Sequence, residues 1–288
     1  MPKQVARTKT QASGQKNGAD ITKDFVERSK KYLMPAANSL RLYTDPPLFE
    51  RGEGAYLYDV NGREYLDFLG GIVSIATGHS NARIAAAVAD QARKLQHTST
   101  LLYHKPLLDL AEFMASIAPG RIQQLYPVNS GSEAVDGAVQ LARVHTGQPW
   151  VIGLQMAYHG RTPGAQSLTA QAAWRNGLMP QPGYAFTPNG YCYRCPLRLK
   201  YPECDIACAK SLEDTIRNNT DGRIAAVIAE PIQGVAGFVT PPPEYFGILV
   251  KIARDHGGLF IADETQTGSG RTGKYWWGIQ HWGVEPDI

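Results

Sequence analysis

Cysteine is scarce: four in 288 residues, too few for the disulfide scaffold of a secreted protein. Net charge is thin as well. Lysine and arginine total 29 against 26 aspartates and glutamates, leaving +3. Four of the cations (Lys3, Arg7, Lys9, Lys16) fall in the first 19 residues, which hold no acid. The rest of the sequence is close to neutral and lacks the basic footprint of a nucleic-acid binder. No apolar run approaches the roughly 18 residues of a membrane span. No charged start leads into an apolar stretch and a small-residue cleavage site. Partners of nucleic acid or membrane are therefore not expected, and the expected location is cytoplasmic. Hydrophobic residues make up 43%, enough for a core and too many for a wholly disordered chain.

The polar, aperiodic residues 1–20 read as a disordered basic tail. In 56–68, Tyr56, Tyr58 and Val60 alternate before Asn61-Gly62, which predicts a hairpin with a type I′ turn. Residues 81–95 place Ile84, Val88 and Leu95 on one helical face behind an Asn81 cap. Residues 106–118, 132–145 and 244–256 also read as helices, whereas 123–128, 150–155, 224–229 and 258–263 read as strands. Strands alternating with helices predict an α/β fold with a mostly parallel, buried sheet. In such sheets ligands bind beyond the carboxyl ends of the strands.

The residues just past each strand are therefore the ones to inspect. After Val128 come Asn129-Ser130-Gly131-Ser132-Glu133 at the start of a helix, where small residues and backbone N–H groups suit an anion. Tyr158 and His159 come after the second strand; an aromatic there can stack on a flat ring, and the imidazole can hydrogen-bond or titrate. Glu230 and Asp263 end two further strands, where a carboxylate is costly unless paired or in use. Gly268 to Gly273 matches G-x-G-x-x-G, but four polar residues separate it from its strand and no helix start comes after it, so a nicotinamide-binding reading is weak. Cys192, Cys195, Cys204 and Cys208 have C-x2-C and C-x3-C spacing, which admits a zinc site, within a segment (188–210) that reads as loop.

These motifs, in this order, resemble the class III pyridoxal-phosphate aminotransferases. The carriers are YLYDVNGREYLDF (56–68), GHSN (78–81), VNSGSEA (128–134), YHGRT (158–162), AEPIQG (229–234) and ADETQTGSGRTG (262–273). HTST (97–100) and the cysteine-bearing loop look most like the alanine–glyoxylate branch, with 4-aminobutyrate and other ω-amino-acid enzymes beside it. The resemblance implies fold-type I, with helices on both faces of the sheet, a small α+β domain beginning in 21–75 and a large cofactor domain in 76–288. It implies that Gly131 and Ser132 hold the cofactor phosphate through backbone N–H groups, to which the Ser130 and Ser132 hydroxyls of the motif itself can add donors. Tyr158 would stack on the pyridine ring, with His159 beside it. Asp263 would pair with the ring nitrogen and Gln266 with the ring hydroxyl. Thr265 stands where the family more often has valine. Tyr103 and Glu230 would lie on the substrate side. The substrates would be an amino acid or ω-amino acid and a 2-oxo acid such as pyruvate or glyoxylate, and the intact protein would be a homodimer.

One family feature is absent. The Schiff-base lysine would fall a few residues beyond Ile288, together with the last strands and most of the small domain, and Lys274 in its glycine-rich turn is a poor substitute. The expectation is a C-terminally truncated, incomplete transaminase, inactive by itself. The alternative is a non-catalytic cofactor-binding relative or fragment. The strand at 123–128, whose family partner is the missing last strand, would lack its neighbour.

Overall fold

A computed structural model describes residues 18–34, 46–175 and 177–288. Most of the expected tail, residues 1–17, lies outside the described residues. Its last three residues are not tail but open a helix. Backbone contacts divide the chain into residues 1–96 and 97–288.

The first unit holds α1 (Gly18–Tyr32), an antiparallel sheet in the order β1 (Phe49–Glu53), β2 (Tyr56–Asp59), β3 (Glu64–Leu66), then α2 (Gly70–Val73) and α3 (Ala82–Lys94). The hairpin forms where expected, but its turn is not type I′. That turn needs two successive residues at positive φ, and here only Gly62 (φ 76°) has one. Val60 is β-branched and resists that region. The Asp59 carboxylate instead collects the N–H groups of Asn61 and Arg63, while Gly62 N donates to Asp59 O. Asn81 caps α3 as expected, accepting from Arg83 N and Ile84 N. The Asp67 carboxylate takes the N–H groups of Leu69 and Gly70 and meets His79 Nε2 at 2.7 Å.

The second unit runs α4 (Lys105–Ile117), α5 (Gly131–Thr146), β4 (Val151–Leu154), α6 (Pro163–Ser167), β5 (Tyr184–Thr187), α7 (Ala207–Asn219), β6 (Ala226–Ala229), α8 (Tyr245–Asp255) and β7 (Leu259–Ala262). Its four strands are all parallel, in the order β5-β4-β6-β7. β4 and β6 are buried at every position, so both faces must be covered. Side-chain alternation shows how. Ile152, Leu154, Val227, Ala229 and Phe260 pack with Leu212 and Ile216 of α7 and Phe246 and Leu249 of α8. Val151, Ala226, Ile228 and Ile261 pack on the other face with Val135, Val139 and Ala142 of α5 and Ala165 of α6.

Two expectations fail here. Residues 123–128 form no strand, and Tyr126 is 84% exposed. Pro127 supplies no N–H, and among the described residues no strand pairs with the segment. At the β7 edge, by contrast, Ala262 N donates to Ile288 O and Ile288 N to Phe260 O, so the chain turns parallel to β7 there. The segment 188–210 is not all loop. A 3-10 turn spans Cys192–Arg194, and α7 begins at Ala207, which buries Cys208.

Candidate active site

Three strand ends meet at one cleft of about 240 Å³. β4 delivers Tyr158 and His159, β6 delivers Glu230, and β7 delivers Asp263, Thr265 and Gln266; Gly131 and Ser132 at the start of α5 form the facing wall. Parallel register makes this convergence, because it brings every carboxyl end to the same side of the sheet.

The floor is an ion pair. His159 Nδ1 lies 2.7 Å from Asp263 Oδ2, and both side chains are buried. Burial works against charge on the imidazole, but the Asp263 hydrogen bond and charge prevail and hold its pKa above the usual histidine value. Burial likewise opposes the Asp263 carboxylate. The His159 contact, aided by Thr265, outweighs it, so this acid stays below the usual aspartate range. Asp263 Oδ1 accepts from Thr265 N at 3.1 Å and Thr265 Oγ1 at 2.6 Å. Glu230 behaves oppositely: burial raises its pKa, although it accepts from Tyr158 N (3.0 Å) and Gly234 N (3.1 Å). No arginine is paired to it among the described residues. His159 N donates to Thr169 Oγ1, which ties the β4 loop to the segment that follows α6.

The phosphate-side wall is shaped by glycines. Gly160 has φ 136°, and a Cβ there would meet Ser132 Oγ at 2.3 Å. Arg161 N donates to that same Ser132 Oγ. A Cβ on Gly131 would press on Thr265 Cγ2 at 3.1 Å, and one on Gly234 would strike Gln266 Oε1 at 1.8 Å. Gly160, Gly234 and Thr169 were not among the expected site residues. The two glycines stand inside quoted motifs, but only the fold shows which side chain each must clear.

Two expected residues stand apart. Ser130 does not line the cleft; its hydroxyl caps α5 by accepting from Glu133 N at 3.2 Å. Tyr103 precedes α4, is 94% exposed and is absent from the cleft wall. The zinc expectation is corrected. Among the described residues no group of three or more His, Cys, Asp or Glu could hold a metal ion. The four thiols are free, from exposed Cys192 to buried Cys208, whose pKa burial pushes up to about 11. Cys208 faces the α7–α8 core because it sits on a helix rather than in a loop.

The residues suit a phosphorylated pyridine. The glycines at 131 and 160 leave backbone space at a helix N-terminus, where N–H groups and the dipole favour an anion. Asp263 is an ionised acceptor, and Gln266 Oε1 and His159 Nε2 are buried without a hydrogen-bond partner. No lysine lines the cleft among the described residues; Lys274 lies 4.9 Å from the Tyr275 ring.

The sequence profile described as "Aminotransferase class-III" matches residues 42–288. The chain belongs to this family. It is 36% identical over 266 residues to the acetylornithine aminotransferase of Archaeoglobus fulgidus, covering 92% of this chain and 63% of that one. It is 34% identical over 281 residues to human alanine–glyoxylate aminotransferase 2, mitochondrial, covering 91% and 54%. Among solved structures, an amine transaminase from an uncultivated Pseudomonas species, in its PLP-bound form, superposes with a TM-score of 0.77 at 33% identity, over 89% of this chain and 60% of that one. The mostly parallel sheet between two helical layers is thus fold-type I. The chain spans somewhat under two thirds of the length of the relatives it matches.

Proposed function

We propose that this chain forms the cofactor-binding part of a pyridoxal-phosphate-dependent aminotransferase, which moves an amino group from an amino acid or ω-amino acid to a 2-oxo acid of the pyruvate or glyoxylate kind. The observation that carries the reading is the ionised Asp263, held by His159 at the floor of a cleft whose wall is a glycine-cleared helix N-terminus. The PLP-bound state of a solved relative supports the choice of cofactor. When bound, pyridoxal phosphate supplies an electron sink for carbanion chemistry.

The remaining roles belong to the chain. Backbone N–H groups at Gly131 and Ser132 hold the phosphate, and the Arg161 N–H keeps the Ser132 hydroxyl in place. Asp263 keeps a proton on the ring nitrogen, because a buried carboxylate stabilises the cationic neighbour it faces. Tyr158, braced edge-on by Trp174 at 5.6 Å, covers the ring. Gln266 takes the ring hydroxyl, and Glu230, fixed by two backbone N–H groups, faces the substrate side. Among the described residues no lysine lines this cleft, and we read the chain by itself as one that binds cofactor without turning over. That property also fits a non-catalytic cofactor-binding relative.

We further assign a homodimer to the intact protein. Apolar side chains on 101–113 support it, with Leu101 at 89% and Leu102 at 65% exposure. The expected domain limits, 21–75 and 76–288, remain our reading of the motifs. Four free thiols fit a reducing compartment and support a cytoplasmic site. No helix among the described residues is long and apolar enough to cross a membrane.

The test is binding of pyridoxamine phosphate, which needs no lysine, read by its fluorescence. Saturable binding that weakens at least tenfold in Asp263→Asn supports the reading. Absence of binding, or equal binding by Asp263→Asn, overturns it.

A further inference from the structure

Each oxygen of Asp263 is already engaged before any ligand arrives. Oδ2 faces His159 Nδ1. Oδ1 takes both the Thr265 N–H and the Thr265 hydroxyl, the latter at 2.6 Å. An ionised carboxylate offers about four lone-pair positions, two per oxygen. Oδ1 is therefore full, and the one acceptor position left is on Oδ2. The Thr265 hydroxyl is what fills Oδ1; a valine here would leave that position open.

We propose that Thr265 is a positioning residue for Asp263: its hydroxyl closes Oδ1, assigns the cationic ligand nitrogen to Oδ2, and makes the carboxylate a weaker base. The role of the ligand nitrogen rests on the cofactor reading above, but the effect on the carboxylate does not. Every side chain facing Asp263 bears on the argument. His159 favours its ionised form and the nearby Glu230 disfavours it. Thr265 adds a charge-assisted donor to the same side of the balance as His159. The threonine stands close to the start of α5. Its Oγ1 lies 3.2 Å and its Cγ2 3.1 Å from where a Cβ on Gly131 would stand, so the glycine leaves the room in which the hydroxyl reaches the Asp263 carboxylate. Gly131 is thereby needed twice, for the anion wall and for the threonine rotamer.

The hydroxyl and the methyl of Thr265 can be separated. Thr265→Val keeps the shape and removes the donor. Thr265→Ser keeps the donor and removes the methyl. The first readout is the Asp263 carboxyl titration by carbon-13 NMR in the unloaded chain. Its pKa rises by about one unit in Thr265→Val and stays within a few tenths of a unit of wild type in Thr265→Ser. If packing alone mattered, Ser would shift and Val would not; that order, or no shift in either, overturns the proposal. If Thr265→Val does not fold, Thr265→Ala replaces it and must shift as Val was expected to, with Ser again unshifted. The second readout is the nitrogen-15 chemical shift of pyridoxamine phosphate bound to each chain. The ring nitrogen is more fully protonated with Val than with wild type or Ser, and an identical shift in all three overturns the assignment to Oδ2. If the carboxyl titration behaves as expected but pyridoxamine phosphate does not bind, the cofactor reading fails and the Thr265–Asp263 coupling stands.

Discussion

Replacing Gly160 with alanine tests the cleft geometry most directly. The residue sits at φ 136°, outside the conformations L-residues adopt, and the new Cβ would lie 2.3 Å from Ser132 Oγ, 2.9 Å from its Cβ and 3.0 Å from its Cα. Backbone strain in such a region costs about 1–3 kcal/mol. Overpacking against atoms that cannot retreat costs about 1–3 kcal/mol more. Ser132 cannot simply swing away, because it stands in the first turn of α5 and its hydroxyl receives the Arg161 N–H. The expected loss is about 2–6 kcal/mol, a large share of the roughly 5–15 kcal/mol that holds a domain folded. Urea unfolding monitored by tryptophan fluorescence reads it. The companion is Ser132→Gly, which removes the Oγ and Cβ. In that background Gly160→Ala should cost the strain and only the remaining 3.0 Å contact with the Cα of residue 132, so the pair shows a coupling of at least about 1 kcal/mol. A Gly160→Ala chain within about 0.5 kcal/mol of wild type, or one whose loss is the same with and without the Ser132 side chain, refutes the reasoning.

Three other outcomes are expected. The Asp263 contribution to stability is present above its unfolded value of 3.8 and is lost as pH falls through its lowered folded value. That of His159 is complete below 6.5 and is lost as pH rises through its raised folded value. Urea midpoints should therefore peak between these limits, and Asp263→Asn should flatten both slopes. Glu264→Ala removes the acceptor for Thr267 Oγ1, Gly278 N and Ile279 N; two backbone N–H groups left unpaired cost about 2–6 kcal/mol, measurable as the same midpoint shift. Gly234→Ala pushes Gln266 aside and should weaken pyridoxamine phosphate binding at least several-fold with little change in stability, read by fluorescence titration.

The helices and buried strands were legible because each carried a physical signature. β6 is a run of small and β-branched apolar residues, α3 has its Asn81 cap, and α5 opens behind Ser130 with Glu133 reaching back to Asn129 N. β5 carried no such signature. Four residues, Tyr184 to Thr187, alternate between buried and half-buried and become a strand only because β4 offers an edge. The failure at 123–128 is the converse, a strand-like text with no edge to join. The cysteine spacing does bring the four thiols within electrostatic reach of one another, with Cys208 buried at the start of α7, but among the described residues they form no group able to hold a metal ion. Tyr103 was reached through family order rather than local chemistry. Ser130 was reached through its place at a helix start, where an N-cap serine and a ligand-binding serine read alike.

The acids at the strand ends show what a sequence can and cannot separate. Asp263 and Glu264 are adjacent beyond β7, and both look equally misplaced by the rule that strand-end carboxylates need partners or a task. Both in fact have partners. Asp263 takes donors from Thr265 and His159, and Glu264 staples the backbone of Gly278 and Ile279. Satisfaction therefore does not distinguish them. Placement does. Asp263 lines the cleft with Thr265, Gln266, Gly131 and Ser132. Glu264 points the other way, into an apolar cavity of about 190 Å³ walled by Trp277, Ile279 and Met114. Of the two, only Asp263 opens on the cleft. The chain's turn past β7 divides the pair into one carboxylate facing the cleft and one that holds backbone N–H groups.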